Sequence, residues 1–245
     1  MSNGVWEFVK AHPYLFANLP ILAAVILLPQ LAPNRDYRRA AVFSGLACLP
    51  CSLAEITSGE YWRPVLLSRI PIGVEDMIFT YSFGAAAWMI AALWCLESCT
   101  VGIRTFRAAF LRLLPWAFTT VAAGMVVWLT GMPHLTAILI SSSGLLLFLL
   151  IRRASLWRLA VAGLVFFTPL YMFIVNFQFA VWPNYLSYWN TGGPWGTLVL
   201  GIPRGEIAWA AVFGAVWPVV IASALDIRNS KIDPVRVSAQ VRQER

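Results

Sequence analysis

The stretch IPIGVEDMIFTYSFGAAAW, from Ile70 to Trp88, sets two adjacent carboxylates, Glu75 and Asp76, just inside a run apolar enough to cross a bilayer. A charge at such a place costs on the order of 3 kcal/mol. Partners or function must offset that cost. The composition around the stretch identifies the solvent: of 245 residues, 60% are hydrophobic, 14% aromatic and only 12% charged, about half the charged share of a soluble domain. The chain is therefore read as an all-α, polytopic membrane protein.

Windows of about 20 apolar residues give seven transmembrane helices, over 13–32, 40–56, 71–94, 109–130, 133–151, 157–182 and 197–225. The first apolar run is long, has only Lys10 ahead of it and lacks a small-x-small cleavage site, so it is read as a span and not as a secretory signal. One transmembrane domain then covers 1–225, followed by a polar, loosely ordered tail over 226–245.

The charges are segregated. Arg35, Arg38 and Arg39 follow the first span, Arg104, Arg107 and Arg112 lie between the third and fourth, and Arg152, Arg153 and Arg158 lie between the fifth and sixth. With Arg228, Lys231, Arg236, Arg242 and Arg245 they put fourteen of the eighteen Lys and Arg on one side. Lys10, Arg63, Arg69 and Arg204 face the other side. By the positive-inside rule the N-terminus is outside and the C-terminus is in the cytosol, as expected of a cell inner membrane. The net charge of +7 is then topological, with anionic lipid head groups as its partners and no role for nucleic acid.

The chain also repeats itself. Setting Asp76 on Glu206 places Ile72 on Ile202, Phe79 on Trp209 and Phe83-Gly84 on Phe213-Gly214. Aromatic, polar segments precede both stretches, GEYWRPVLLSRIP in one case and WPNYLSYWNTGGPWG in the other. This reads as two parallel three-helix repeats, about 13–94 and 133–225, joined by a connector helix at about 109–130.

The interface between repeats is the natural place for a site. At about 1.5 Å per residue, Asp76 would lie about 8 Å inside the third span and Glu206 about 12 Å inside the seventh. Glu55 closes the second span on that same side, and Asn176 and Gln178 stand toward the same end of the sixth. A helix turns about 100° per residue, so Glu75 and Asp76 require different partners. Asp76, Phe79 and Phe83 share one face, as do Glu206, Trp209 and Phe213. Each repeat thus offers an acid above an aromatic wall, and such walls stabilise cations by about 0.5–2 kcal/mol each. Paired acids beside an aromatic wall suit a reaction that passes through a carbocation. Purely structural roles remain open, with the aromatics as bundle core and Glu206 paired to Arg204 or Arg69.

Other chemistries are poorly served. There are only two histidines, His12 and His134, and there is no HExxH, GxGxxG or P-loop, so neither a metal nor another cofactor is implied. The only lysines, Lys10 and Lys231, lie outside the spans and cannot hold retinal as a Schiff base. Cys48 and Cys51 form a CxxC within the second span, but no βαβ pattern surrounds it and burial disfavours a thiolate, so it is not read as a redox pair; Cys95 and Cys99 are read as small packing residues.

The sequence Gly73-Val74-Glu75-Asp76 followed by MIFTYSFG, and Pro203-Arg204-Gly205-Glu206 followed by IAWAAVFG, resembles the integral-membrane lycopene cyclases of the heterodimeric bacterial and fused fungal or archaeal type. That family repeats a Pro-x-Glu-Glu/Asp motif at the start of a span. Gly73 replaces the proline of the first motif, and Gly205 replaces the first glutamate of the second.

The resemblance implies cofactor-independent cyclisation of a linear carotenoid end group by protonation, ring closure and loss of a proton. Glu75, Asp76 and Glu206 would be the catalytic residues, with Phe79, Phe83, Trp209, Phe213, Asn176 and Glu55 lining the substrate. The alternatives are a non-catalytic carotenoid or isoprenoid binder, alone or as a subunit of a larger membrane complex or homo-oligomer, and a small parallel-repeat transporter. A transporter calls for matched midplane helix breaks, and Pro71 and Pro203 stand at span entrances instead. A reporter fused after Arg245 should prove cytosolic and one inserted between Trp182 and Thr197 external. A cytosolic second reporter would remove both the orientation and the repeat.

Overall fold

A computed structural model describes residues 2–67, 70, 72–93 and 99–228. The expectations placed on Arg69, Pro71, Cys95 and the tail beyond 228 fall outside these residues, as does the side chain of Glu55. The described chain is about 78% helical. Its helices are α1 (Ser2–Ala11), α2 (Pro13–Leu31), α3 (Arg35–Cys48), α4 (Val74–Ala91), α5 (Phe106–Leu129), α6 (His134–Arg152), α7 (Trp157–Ala162), α8 (Thr168–Val181) and α9 (Arg204–Ala224).

Five helical segments among the described residues are long and apolar enough to cross a membrane: Pro13–Leu31, Phe106–Leu129, His134–Arg152, Ala154–Val181 and Arg204–Ala224. The protein is an all-α membrane protein. The second and third expected spans are not among them: α3 is only 14 residues long, and the 18-residue α4 has two acids in its first turn. Arg35, Asp36, Arg38 and Arg39 open α3, while α4 carries Glu75, Asp76, Thr80 and Ser82, all four of them buried. Because α4 is wrapped by protein, its surface need not match lipid.

Several boundaries move for identifiable reasons. The α3 helix begins at Arg35 because the Asn34 side chain accepts from Asp36 N and Tyr37 N at 2.8 and 3.2 Å, capping the first turn. Past Cys48 the chain tightens into a 3₁₀ segment, Leu49–Glu60, at Pro50, which brings no amide hydrogen to an α-helical ladder. The seventh span starts seven residues later than the apolar run. Residues 198–203 instead form a hairpin of β2 (Leu198–Val199) and β3 (Ile202–Pro203), turned by Leu200 and Gly201 in the left-handed region at φ 54° and 80°. Before the first span the sequence reading had no element, and α1 occupies that place with Val5, Trp6 and Phe8 exposed.

Two helices hold the centre. The α4 helix packs on α2, α3 and α9, and α9 also packs on α6 and on α7–α8. Glycines set the closest approaches, since without a Cβ two helix backbones can nearly touch. Gly84 of α4 lies against Cys48 and the Ser44 carbonyl of α3. Gly214 of α9 lies 2.8 Å, measured from where a Cβ would stand, from the Gly163 carbonyl. Polar bonds lock the same layer: Ser44 Oγ donates to Gly84 O at 2.6 Å and accepts from Trp217 Nε1 at 2.9 Å.

At the arginine-rich end, β1 (Thr100–Val101) pairs antiparallel with β4 (Ile227–Arg228). Arg153 reaches the Asp226 carboxylate at 3.8 Å and also bonds the Ile227 carbonyl. The beginning of the expected loose tail, up to Arg228, is therefore tied to the bundle.

Gly214→Val should lower the thermal midpoint of the detergent-solubilised protein by an amount equivalent to about 1–3 kcal/mol, because the added atoms meet backbone that has nowhere to move. Gly144→Ala, which faces open space inside α6, should leave the midpoint unchanged or raise it.

Candidate functional site

Both acid-bearing helices start in the same register. Gly73 caps α4 and Pro203 caps α9, so Asp76 and Glu206 each occupy the third helical position, in the first turn. Glu206 is thus nearer the helix end than the sequence suggested, because the hairpin before it takes the residues read as the first turns of the span. The positive end of the helix dipole, with its free amide groups, favours an acid at this position.

The three acids nevertheless have different partners. Asp76, fully buried, accepts from Gly73 N at 2.7 Å through Oδ2, one half of a capping box, and the Tyr14 hydroxyl lies beside its carboxylate. Glu75, 1% exposed, accepts from Leu67 N at 2.6 Å through Oε1 and so holds the segment before α4. Among the described residues its Oε2 has no hydrogen-bond partner.

Glu206 is met by aromatic donors. The Tyr171 hydroxyl donates to Oε2, and Trp189 Nε1 donates to Oε1 at 2.9 Å. Tyr61 sits against the same carboxylate, and burial first, then the neighbouring Glu206, pushes its phenol up, so it remains protonated. Arg204 turns away, donating to the Pro194 carbonyl at 2.6 Å through Nε and lying over the Trp195 ring. The sequence-level alternative of an Arg204–Glu206 pair does not form.

The expected aromatic walls come together as one. Phe79 lies 5.8 Å from Trp209 between ring centroids, 4.6 Å from Phe83 and 6.0 Å from Tyr14. Trp209 stacks on Phe213 at 4.8 Å, and Phe213 stacks on Trp217 at 5.6 Å. Tyr171 bridges the two rows at 5.1 Å from Phe83 and 5.2 Å from Trp209.

Asn176 does not join them, since its side chain is exposed near Gly201. Gln178, two residues on, is buried and donates to Ala17 O at 3.3 Å. No hydrogen bond joins Glu75 or Asp76 to Glu206 among the described residues. A run of rings connects them instead, from Tyr14 to Trp62 at 5.4 Å and from Trp62 to Trp189 at 4.0 Å.

The two aromatic segments ahead of the acids pair with each other over the site. Arg63 N donates to Tyr188 O at 2.8 Å and Asn190 N to Tyr61 O at 2.9 Å, flanking a bridge between Trp62 and Trp189. A Cβ on Gly205 would stand 2.5 Å from the Tyr61 hydroxyl and 2.7 Å from Leu135 Cδ2. The space that a side chain at 205 would need belongs to Tyr61.

Tyr171, Trp189 and Tyr61 were absent from the sequence reading of the site. Tyr171 carried a usable signal, because Gly163, Phe167, Tyr171 and Val175 recur every fourth residue and all are buried. In a straight α-helix such a row drifts by about 40° per step. A π-helical turn over Gly163–Phe167 absorbs that drift and keeps Tyr171 inward. Trp189 and Tyr61 stand outside the α-helices, where no periodicity marks them. Comparison with family models, with curated proteins and with solved structures gave no match.

The Asp76 cap has a measurable consequence. Asp76→Asn keeps an oxygen that can accept from Gly73 N, whereas Asp76→Leu does not. The leucine variant should be less stable than the asparagine variant by about 1 kcal/mol, read as the difference in their melting midpoints in detergent.

Proposed function

We propose that this protein is a membrane enzyme of the lycopene cyclase type, which binds the end group of a linear carotenoid between α4 and α9 and cyclises it by acid–base chemistry. One observation carries the reading: two acids at the same helical position of two paired helices flank a single aromatic wall built from both. Protonation of a terminal double bond creates a cation that the rings stabilise, closure forms the six-membered ring, and loss of a proton ends the reaction. No redox partner is needed. Tyr61, occupying the space at Gly205, supplies a neutral hydroxyl where the cyclase motif carries a second acid.

Several features support the accompanying organisation as two parallel three-helix repeats within seven spans. The α4 helix packs on α2 and α3 as α9 packs on α6 and α7–α8. Gly84 and Gly214, equivalent in the alignment, each make a close helix contact within their own half. The acids share one end of the bundle, and the charge asymmetry favours that end as external, with the arginines and anionic lipids at the cytosolic face of an inner membrane.

A second reading, a non-catalytic isoprenoid binder, draws on one specific observation. Both acids of α4 make structural bonds, Asp76 to Gly73 N and Glu75 to Leu67 N.

Expression in a host that accumulates a linear carotenoid separates the two. The wild-type protein should convert the pigment to ring-bearing product, seen by chromatography. Asp76→Asn and Glu206→Gln should each fold and lose at least about 100-fold of that conversion, since an amide cannot relay a proton at neutral pH. Pigment that co-purifies unchanged with well-expressed wild-type protein would establish the binder instead.

A further inference from the structure

We propose that Tyr171 is the group through which Glu206 takes a proton from a molecule held against the aromatic wall. The inference rests on the cyclase reading for its substrate and on the geometry for its residue. Both oxygens of Glu206 are occupied, Oε1 by Trp189 Nε1 at 2.9 Å and Oε2 by the Tyr171 hydroxyl. An indole N–H can only donate, so Trp189 cannot pass a proton onward. A phenol both donates and accepts, and Tyr171 is the one of the two that can.

Position points the same way. The Tyr171 ring lies between Phe83 of α4 and Trp209 of α9, at 5.1 and 5.2 Å. It therefore touches the wall from both helices while its hydroxyl bonds Glu206. The π turn over Gly163–Phe167 puts it there, and such turns in α-helices accompany functional sites.

The step balances. In the closing half-reaction a C–H bond of the ring cation breaks and its proton joins the Tyr171 oxygen, while the proton already on that oxygen passes to Glu206. Cation and carboxylate become alkene and carboxylic acid. In this two-acid scheme the opening proton comes from Asp76 and does not pass through Tyr171. Nothing is oxidised or reduced, and the substrate class is an isoprenoid chain with a terminal trisubstituted double bond.

The test uses the full-length protein in lipid nanodiscs, with two readouts. In infrared spectra of protein labelled on tyrosine, the band lost in Tyr171→Phe is the phenol C–O stretch of Tyr171. It should shift in Glu206→Gln, because its acceptor changes from carboxylate to amide. In turnover of a linear carotenoid, Tyr171→Phe should keep KM and lower kcat by about 100-fold or more. A residue that only packs would tolerate phenylalanine. Fluorotyrosine at position 171 keeps ring and hydroxyl, so it folds wherever tyrosine does, and it should move the pH profile of kcat.

Wild-type kcat in Tyr171→Phe, or an unmoved profile with fluorotyrosine, overturns the relay and leaves the cyclase reading intact. A tyrosine band indifferent to Glu206→Gln overturns the relay whatever the activity. A wild-type protein that converts no carotenoid yet shows the band shift removes the cyclase reading and upholds the hydroxyl–carboxylate link.

Discussion

A carboxylate in the first turn of a membrane helix must be met by donors, and the donors that meet Glu206 come from two elements outside its own helix. Tyr171 comes from α8 and Trp189 from the segment between α8 and α9, and Tyr61, from the segment after the 3₁₀ segment, packs beside them with no bond from its hydroxyl among the described residues. An unmet buried acid costs on the order of several kcal/mol, so this one contact couples the placement of α8, the segment after it and α9. The pairing of the two aromatic segments, with Trp62 against Trp189, follows from the same requirement. Glu75 works similarly on the other side, holding Leu67 N and with it the approach to α4.

The arrangement separates two demands that conflict in a membrane. Close helix packing needs small residues, and α4 and α9 provide Gly84 and Gly214 near their middles. A polar site needs donors and irregular backbone, which lipid does not tolerate but a protein-lined end does. Those features are confined to one end of the bundle, where the hairpin, the 3₁₀ segment and the paired loops all lie. The opposite end is closed by different means, with Arg153 and the β1–β4 ladder tying the end of α9 to the segment before α5. Both ends of α9 are therefore held, and the aromatic stack of Trp209, Phe213 and Trp217 between them is kept in register with α4.

Gly73 and Gly205, the two positions that differ from the motif of the proposed family, each have a definite structural setting. Gly205 leaves room that Tyr61 fills, so the half of the site with one carboxylate also has a phenol. Gly73 in place of proline costs little, because Asp76 accepts from the Gly73 amide hydrogen, which a proline would lack.

The sequence by itself determined the class of protein, the placement of most of its membrane helices to within a few residues, the segregation of charge and the aromatic faces of α4 and α9. These are local properties, set by apolar run length and by the spacing of side chains on one helix. It also singled out Glu75, Asp76 and Glu206, because an acid in an apolar run is conspicuous against its neighbours. Only the tertiary structure decided what each acid bonds to, where α9 begins and which residues complete the site. Asp76 caps its own helix while Glu206 accepts from two aromatic donors, Tyr171 and Trp189, although the two acids occupy the same helical position. The difference lies in partners supplied across long chain separations, and no periodicity within a single segment encodes which distant hydroxyl or indole will fold onto it.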